Sequence, residues 1–241
     1  MTVLALVRHG QSQWNLENRF TGWVDVPLTP KGEDEARKAG QLLAACGHDF
    51  DQAFTSLQTR AIRTLWLALT EMNAVWLPTQ KDYRLNERHY GALTGLDKAE
   101  TAEKHGTDQV HIWRRSYDVP PPPLDWDDPI NPCLDRRYAH VLRDDLPRAE
   151  SLKMTLERVL PYWQAQIEPQ VLGEKNIIIS AHGNSLRALV KLLFGVSEAD
   201  IVNVEIPTGN PLLIEFSTGS LAIKSARYLD ESRARDLPPF G

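Results

Sequence analysis

Three short stretches carry side chains able to handle a phosphoryl group: Arg8-His9-Gly10, Arg60 within TSLQTRAIRT (55–64), and His182-Gly183 within SAHGNSLRALVK (180–191). A neutral imidazole is a good nucleophile toward phosphorus, and the cationic ring left after attack passes the group on readily. Guanidinium groups grip phosphoryl oxygens bidentately and stay charged while negative charge shifts during transfer. A glycine after each histidine allows backbone to approach such a group closely. Taken singly, a histidine after a strand is most often a satisfied structural residue and an arginine a solvated charge. Together they suit transfer by positioning and electrostatics. Two histidines could instead share a metal, but neither sits in an H-E-x-x-H helix and no acidic third ligand has an obvious place. No metal is expected.

Each feature follows a predicted strand, and that placement matters. Residues 2–7 (TVLALV), 52–56 (QAFTS) and 176–181 (NIIISA) read as buried strands, with His9, Arg60 and His182 just beyond their ends. In open α/β sheets, ligands sit beyond the carboxyl ends of strands, near helix N-termini that favour anions. If the three strands are parallel neighbours, the histidines and arginines converge on one point.

Short apolar runs alternate with helical periodicities along the chain, the pattern of parallel strands joined by helices. The predicted fold is a three-layer α/β sandwich: a mostly parallel sheet, flanking helices, and an inserted loop and helix region (83–132) covering the site. Thr29-Pro30 opens a helix with Ala36, Ala39, Leu43 and Cys46 on one face. Residues 74–78 (AVWLP) read as a third strand, and 212–217 and 221–228 as two final ones around a Thr218-Gly219 turn. Leu152 to Ile167 repeat at helical spacing, with Pro161 set to kink or divide that helix. Leu186, Leu189, Val190 and Leu193 face inward on a helix stopped by Gly195. The proline-rich stretch 119–132 (VPPPPLDWDDPINP) cannot be helix or central strand. It reads as a stiff loop over the site, more simply than as a polyproline ligand. The tail from Asp230 is charged, ends in prolines and reads as mobile.

The 241 residues fit one α/β domain, and a 42% apolar content supports a sizeable core. A formal charge of -5 argues against a general nucleic-acid binder, yet a few arginines in a cleft can still hold an anion. Two cysteines, Cys46 and Cys133, make no disulfide framework. No signal peptide and no bilayer-spanning run is visible, so a cytoplasmic protein away from membranes is expected.

Over RHGQSQWNLENRFTGWVDVPLTPKG (8–32), TSLQTRAIRT (55–64), RLNERHYGALTGLDKAETAEKHG (84–106), WRR (113–115), SAHGNSLRALVK (180–191) and IPTGNPLLIEF (206–216), the chain resembles the histidine phosphatase superfamily. The form it resembles is that of the 2,3-bisphosphoglycerate-dependent phosphoglycerate mutases, and the likeness runs to about residue 228. R-H-G alone would indicate only phosphoryl transfer at histidine. NERHYGALTGLDKAET is more specific and separates mutases from simple phosphatases.

The resemblance implies interconversion of 3-phosphoglycerate and 2-phosphoglycerate through a phosphohistidine at His9, primed by 2,3-bisphosphoglycerate, in a homodimer or higher homo-oligomer. Arg8, Arg60 and His182 would bind the transferring group, and Glu87 would carry the proton of the substrate hydroxyl. Gly10, Gln11, Ser12, Asn15, Thr21, Gly22, Arg88, His89, Tyr90, Lys98, Arg114, Arg115, Gly183 and Asn184 match positions around the rest of the substrate. Arg114 and Arg115 would face different ways on a helix unless its end turns both inward. Gln11 stands where the family more often has Glu, and Ser12 where the related bisphosphoglycerate mutases have Gly. The rivals are a small-molecule phosphatase on the same scaffold and a phosphometabolite-binding protein without turnover.

Overall fold

The computed structural model describes residues 1–239. β1 (Thr2–Arg8) leads to a short helix α1 (Gln13–Leu16) and then to α2 (Pro30–Ala44). α1 is closed by a reciprocal cap: Ser12 Oγ accepts the Asn15 N–H and Asn15 Oδ1 accepts the Ser12 N–H. α2 starts as its sequence dictates, with Thr29 Oγ1 accepting the Gly32 N–H at 3.1 Å and Pro30 in the first turn. β2 (Gln52–Thr55), α3 (Thr59–Glu71) and β3 (Thr79–Lys81) follow. α4 (Lys98–His105) and α5 (Thr107–Arg115) come next, then α6 (Leu152–Tyr162), α7 (Glu168–Leu172), β4 (Ile177–Ala181), α8 (Gly183–Phe194), β5 (Leu212–Phe216) and β6 (Ile223–Tyr228).

The sheet order is β3-β2-β4-β1-β5-β6. β3, β2, β4 and β1 are parallel; β5 runs antiparallel to β1, and β6 antiparallel to β5. β1 is buried almost throughout, and its side chains alternate between two cores. Val3, Ala5 and Val7 join Ala39 and Leu43 of α2 and Leu65 and Leu69 of α3 on one face. Leu4 and Leu6 join Val159 of α6, Val171 of α7 and Leu186 and Leu189 of α8 on the other. That is the expected three-layer sandwich. Its middle strand triplet, β2-β4-β1, sets three carboxyl ends side by side.

Two sequence expectations give way. Residues 74–78 are a turn, and the strand begins only after Pro78, whose carbonyl accepts the Ala53 N–H. The apolar run misled because Val75 and Trp76 point to solvent at the sheet edge instead of into a core, with Trp76 76% exposed. At Pro161, where a kink or a division is expected, the helix is not broken. The helix continues past it, widens into a π-helical turn over Trp163–Ile167, and passes to α7 with Pro169 in its first turn.

α2 and α3 pack closely at Gly40, where an added Cβ would run into the Ala68 carbonyl and Glu71 Cβ. In a free helix Gly→Ala stabilises by about 1 kcal/mol. Here the sign should reverse: Gly40→Ala is expected to destabilise by about 1–3 kcal/mol through overpacking, read as a lowered urea midpoint with unchanged m-value. A stabilised variant would contradict the packing.

Candidate active site

His9 is the first residue past β1, and its N–H bonds the Ala181 carbonyl at the end of β4. Its Nδ1 lies 2.7 Å from the Gly10 carbonyl. A carbonyl only accepts, so Nδ1 carries the proton and Nε2 keeps its lone pair. Nε2 in turn faces the Arg60 Nε–H at 3.3 Å. Burial, then the charges of Arg60 and Arg8, hold the His9 pKa well below its ordinary value, so the ring is neutral and nucleophilic near pH 7.

Arg60 enters from the first turn of α3. Its guanidinium donates to the carbonyls of Val24 and Gly22 at 3.0 and 2.8 Å. Arg8 donates to the Ile206 carbonyl. Neither has a carboxylate within ion-pair distance among the described residues, though Arg60 is essentially fully buried. Burial lowers the Arg60 pKa to about 10, which leaves it charged. Glu87 and Asp25 act on it only from beyond ion-pair distance, and a buried charge held chiefly by carbonyl dipoles is costly and favours an anionic guest.

His182 is the N-cap residue of α8, with Nε2 2.8 Å from Ser56 Oγ and its ring centroid 5.0 Å from that of His9. Burial, then Arg60 and His9, push its pKa well down too. The two glycines differ in what surrounds them. An added Cβ on Gly10 would strike the backbone of Gly32 in α2, whereas one on Gly183 would only come into ordinary contact with the Arg8 guanidinium. The absence of a Cβ at Gly10 lets the turn that carries His9 pack directly on α2.

Glu87 lies on the segment between β3 and α4, where no regular element holds it. Side chains hold it instead. Its N–H donates to Gln58 Oε1 at 2.8 Å, and its carbonyl accepts from Trp23 Nε1 and Arg158 Nη2. Arg158 also bonds the carbonyls of Tyr83, Arg84 and Asn86 and pairs with the buried Glu150 at 2.6 Å. Glu87 Oε1 accepts three N–H bonds, from Arg88 N, Asn184 N and Asn184 Nδ2.

His9, Arg8, Arg60 and Glu87 open onto one cavity of about 570 Å³. Asn15, Thr21, Tyr90, Lys98, Arg114, Arg115, Gly183 and Asn184 line it as well. Arg114 and Arg115, the last two residues of α5, both reach it. Gly10, Gln11, Ser12, Gly22, Arg88 and His89 lie behind the walls, and His182 is buried behind His9. Gln11 is tied to Thr29 and Glu35. The His89 ring packs on Trp23 and takes the Gly91 N–H on Nδ1.

No residue of the proline-rich stretch lines this cavity. That stretch bonds Ala92 and Arg148 and borders a separate cavity of about 330 Å³ with Trp23 and Asp25. Its carbonyls are used by the insertion itself, so it buttresses the insertion where a lid was expected. The rim of the main cavity comes from residues sequence reading passed over: Glu205–Thr208 and, from the tail, Ser232, Arg233 and Arg235. Arg233 bonds the Thr208 carbonyl, and Asp230 pairs with Asn210. Arg187 was also passed over, although its place one helical turn after Asn184 was a usable signal.

The sequence and the fold match a known class. The sequence model of the Histidine phosphatase superfamily (branch 1) matches residues 4–130. A mycobacterial glucosyl-3-phosphoglycerate phosphatase shares the fold at a TM-score of 0.69 and 19% identity, over 95% of this chain and 97% of that one. The 2,3-bisphosphoglycerate-dependent phosphoglycerate mutase of Hyphomonas neptunium is 62% identical over 238 residues, 99% of each chain. That of Caulobacter sp. is 60% identical over the full length of both. The chain belongs to the histidine phosphatase superfamily, and within it to the 2,3-bisphosphoglycerate-dependent phosphoglycerate mutases.

His89 offers a clean pH test. Burial, then Arg158, lowers its pKa to about 3. Between about pH 3 and 6.5 the unfolded chain binds a proton that the folded ring refuses, so stability is lost as pH falls through that window. The slope approaches about 1.4 kcal/mol per pH unit once the unfolded ring is protonated. In His89→Asn the pH dependence of unfolding free energy between pH 5.5 and 4 should weaken by that amount, measured by urea denaturation; an unchanged slope would refute it.

Proposed function

We propose that this enzyme interconverts 3-phosphoglycerate and 2-phosphoglycerate by passing a phosphoryl group through His9 Nε2. The observation that carries the reading is the neutral, tautomer-fixed His9 set against buried guanidiniums that lack carboxylate partners. An anion is the missing partner of that site, and phosphorus bound there meets a lone pair. The relatives' printed name supplies the substrate class.

In the forward direction the phosphorylated His9 gives its group to the substrate 2-hydroxyl. The N–P bond breaks, an O–P bond forms, and Glu87 takes the hydroxyl proton. His9 Nε2 then takes the 3-phosphoryl group, and Glu87 returns the proton to the leaving oxygen. Arg8, Arg60 and His182 steady the group between the two ends. Lys98, Arg114 and Arg115 supply positive charge for the far end of the substrate. 2,3-Bisphosphoglycerate, when bound, supplies the phosphoryl group that first loads His9. The uncompensated guanidiniums and the size of the cavity fit such a three-carbon bisphosphate. A cytoplasmic location and a homo-oligomer belong to the same reading. β3 is an edge strand, and Trp66 and Trp76 are exposed, features that suit a second copy.

His9→Ala should abolish both acid-labile labelling by 2,3-bisphosphoglycerate and mutase activity; retained activity would overturn the nucleophile. Glu87→Gln should slow transfer by about 10²–10⁴-fold, with an unaltered rate removing it from the chemistry. Product analysis with 3-phosphoglycerate, with and without 2,3-bisphosphoglycerate, should show primer-dependent 2-phosphoglycerate. Inorganic phosphate as the main product would identify a phosphatase.

A further inference from the structure

The Asn184 side chain faces two ways. Its Nδ2 donates to Glu87 Oε1 at 2.9 Å and to the Tyr90 hydroxyl at 3.3 Å. Its Oδ1 accepts from Arg187 Nη1 at 3.0 Å. The amide could in principle sit either way round, since its two ends have the same shape. Turned over, it would set Oδ1 against a carboxylate oxygen and its NH₂ against a guanidinium, replacing two bonds by two repulsions. Arg187 and Glu87 together therefore fix which way round the amide sits, Arg187 holding the Oδ1 end from α8.

The consequence reaches the carboxylate. With the amide so turned, Oε1 accepts three N–H bonds, while Oε2 accepts none from the described residues and the carboxylate lines the cavity. The two oxygens are thus unequal: one is an anchor and the other is free to exchange a proton. Arg187 is poorly placed to serve the substrate directly. Both terminal nitrogens are engaged, Nη1 with Asn184 and Nη2 with the Ile201 carbonyl, and the unpartnered Nε is buried.

Resting on the reading of Glu87 as the proton carrier, we propose that Arg187 is a positioning residue that orients Asn184, and that this makes Oε2 of Glu87 the oxygen that carries the proton. Arg187 acts through two hydrogen bonds in series, from α8 to the segment before α4. The location is economical. Asn184 and Arg187 are one helical turn apart on α8, so a rigid element carries the information. Glu87, by contrast, sits on a segment that needs external bonds to hold its place. A misplaced carboxyl is costly to proton transfer even when the substrate still binds normally.

The test is a double-mutant cycle on the full-length protein, each variant first checked for native circular dichroism and cooperative unfolding. Arg187→Met is expected to lower kcat by about 10- to 100-fold with KM held within about twofold. In an Asn184→Ala background the same change should add less than about twofold, because the link is already cut. A raised KM with kcat preserved would make Arg187 a substrate anchor and overturn the proposal, as would losses that multiply in the double variant. Arg187→Gln serves the same cycle if the methionine variant does not fold. Glu87→Gln is measured alongside: if it leaves kcat unaltered, the reading of Glu87 has failed. If it slows transfer while the Arg187 losses multiply, only the present inference has failed.

Discussion

The constraint from which the site follows is buried positive charge left without a carboxylate. Arg60 is sealed at the base of the cavity, and carbonyl oxygens of Gly22 and Val24 hold it where an acid could have stood. Had an aspartate neutralised it, the charge would have been satisfied within the fold and unavailable to a ligand. As built, the field does two things. With burial as the larger cause, it keeps the His9 and His182 pKa values well below their ordinary range, so both rings stay neutral, and it favours an anion in the cavity. Under the proposed function, burial and this positive charge together account for a neutral His9 and for a site that favours an anion.

Such charge is tolerable only where the backbone is rigid. Carbonyl dipoles can stabilise a guanidinium when they are held in place, and here packing holds them. Gly10 lies against Gly32, so the turn after β1 is pinned to the first turn of α2. Thr64 bonds both the Gly10 N–H and the Arg60 carbonyl, joining the nucleophile's turn to the helix that supplies its clamp. Glu87 is fixed by a comparable device from the other side. Arg158 collects four carbonyls of the segment 83–87 and is balanced by Glu150, a buried pair whose worth lies in shaping a loop more than in net stability.

Much of this was legible in the chain, and the limits were physical. The strand ends bearing His9, Arg60 and His182 declared themselves through apolar runs followed by chemistry-bearing residues, and their adjacency follows from parallel α/β topology. The likeness to the mutases placed Glu87, which periodicity alone could not do, since it stands on no helix or strand. Residues 74–78 misled because apolar content signals burial, whereas Trp76 is exposed. The proline-rich stretch misled because stiffness says nothing about where a loop is aimed. The tail's cavity residues, Ser232, Arg233 and Arg235, carried no local signal; a charged segment reads alike whether it is solvated or folded onto a rim.

Gln11 shows how the structure absorbs a departure from the family pattern. Where the family resemblance implies a carboxylate, this chain has an amide, and a charge lost beside His9 could have altered that ring. The amide is turned away from the cavity: Thr29 Oγ1 donates to Gln11 Oε1 at 3.0 Å. A carboxylate already serves this turn, because Glu35 Oε2 accepts the Gln11 N–H at 2.8 Å and Arg233 lies beside its other oxygen. A second acid at position 11 would be set close to Glu35. Negative charge near the nucleophile's turn is therefore supplied from α2, where a helix fixes it, and the side chain at position 11 is left to brace the helix N-terminus.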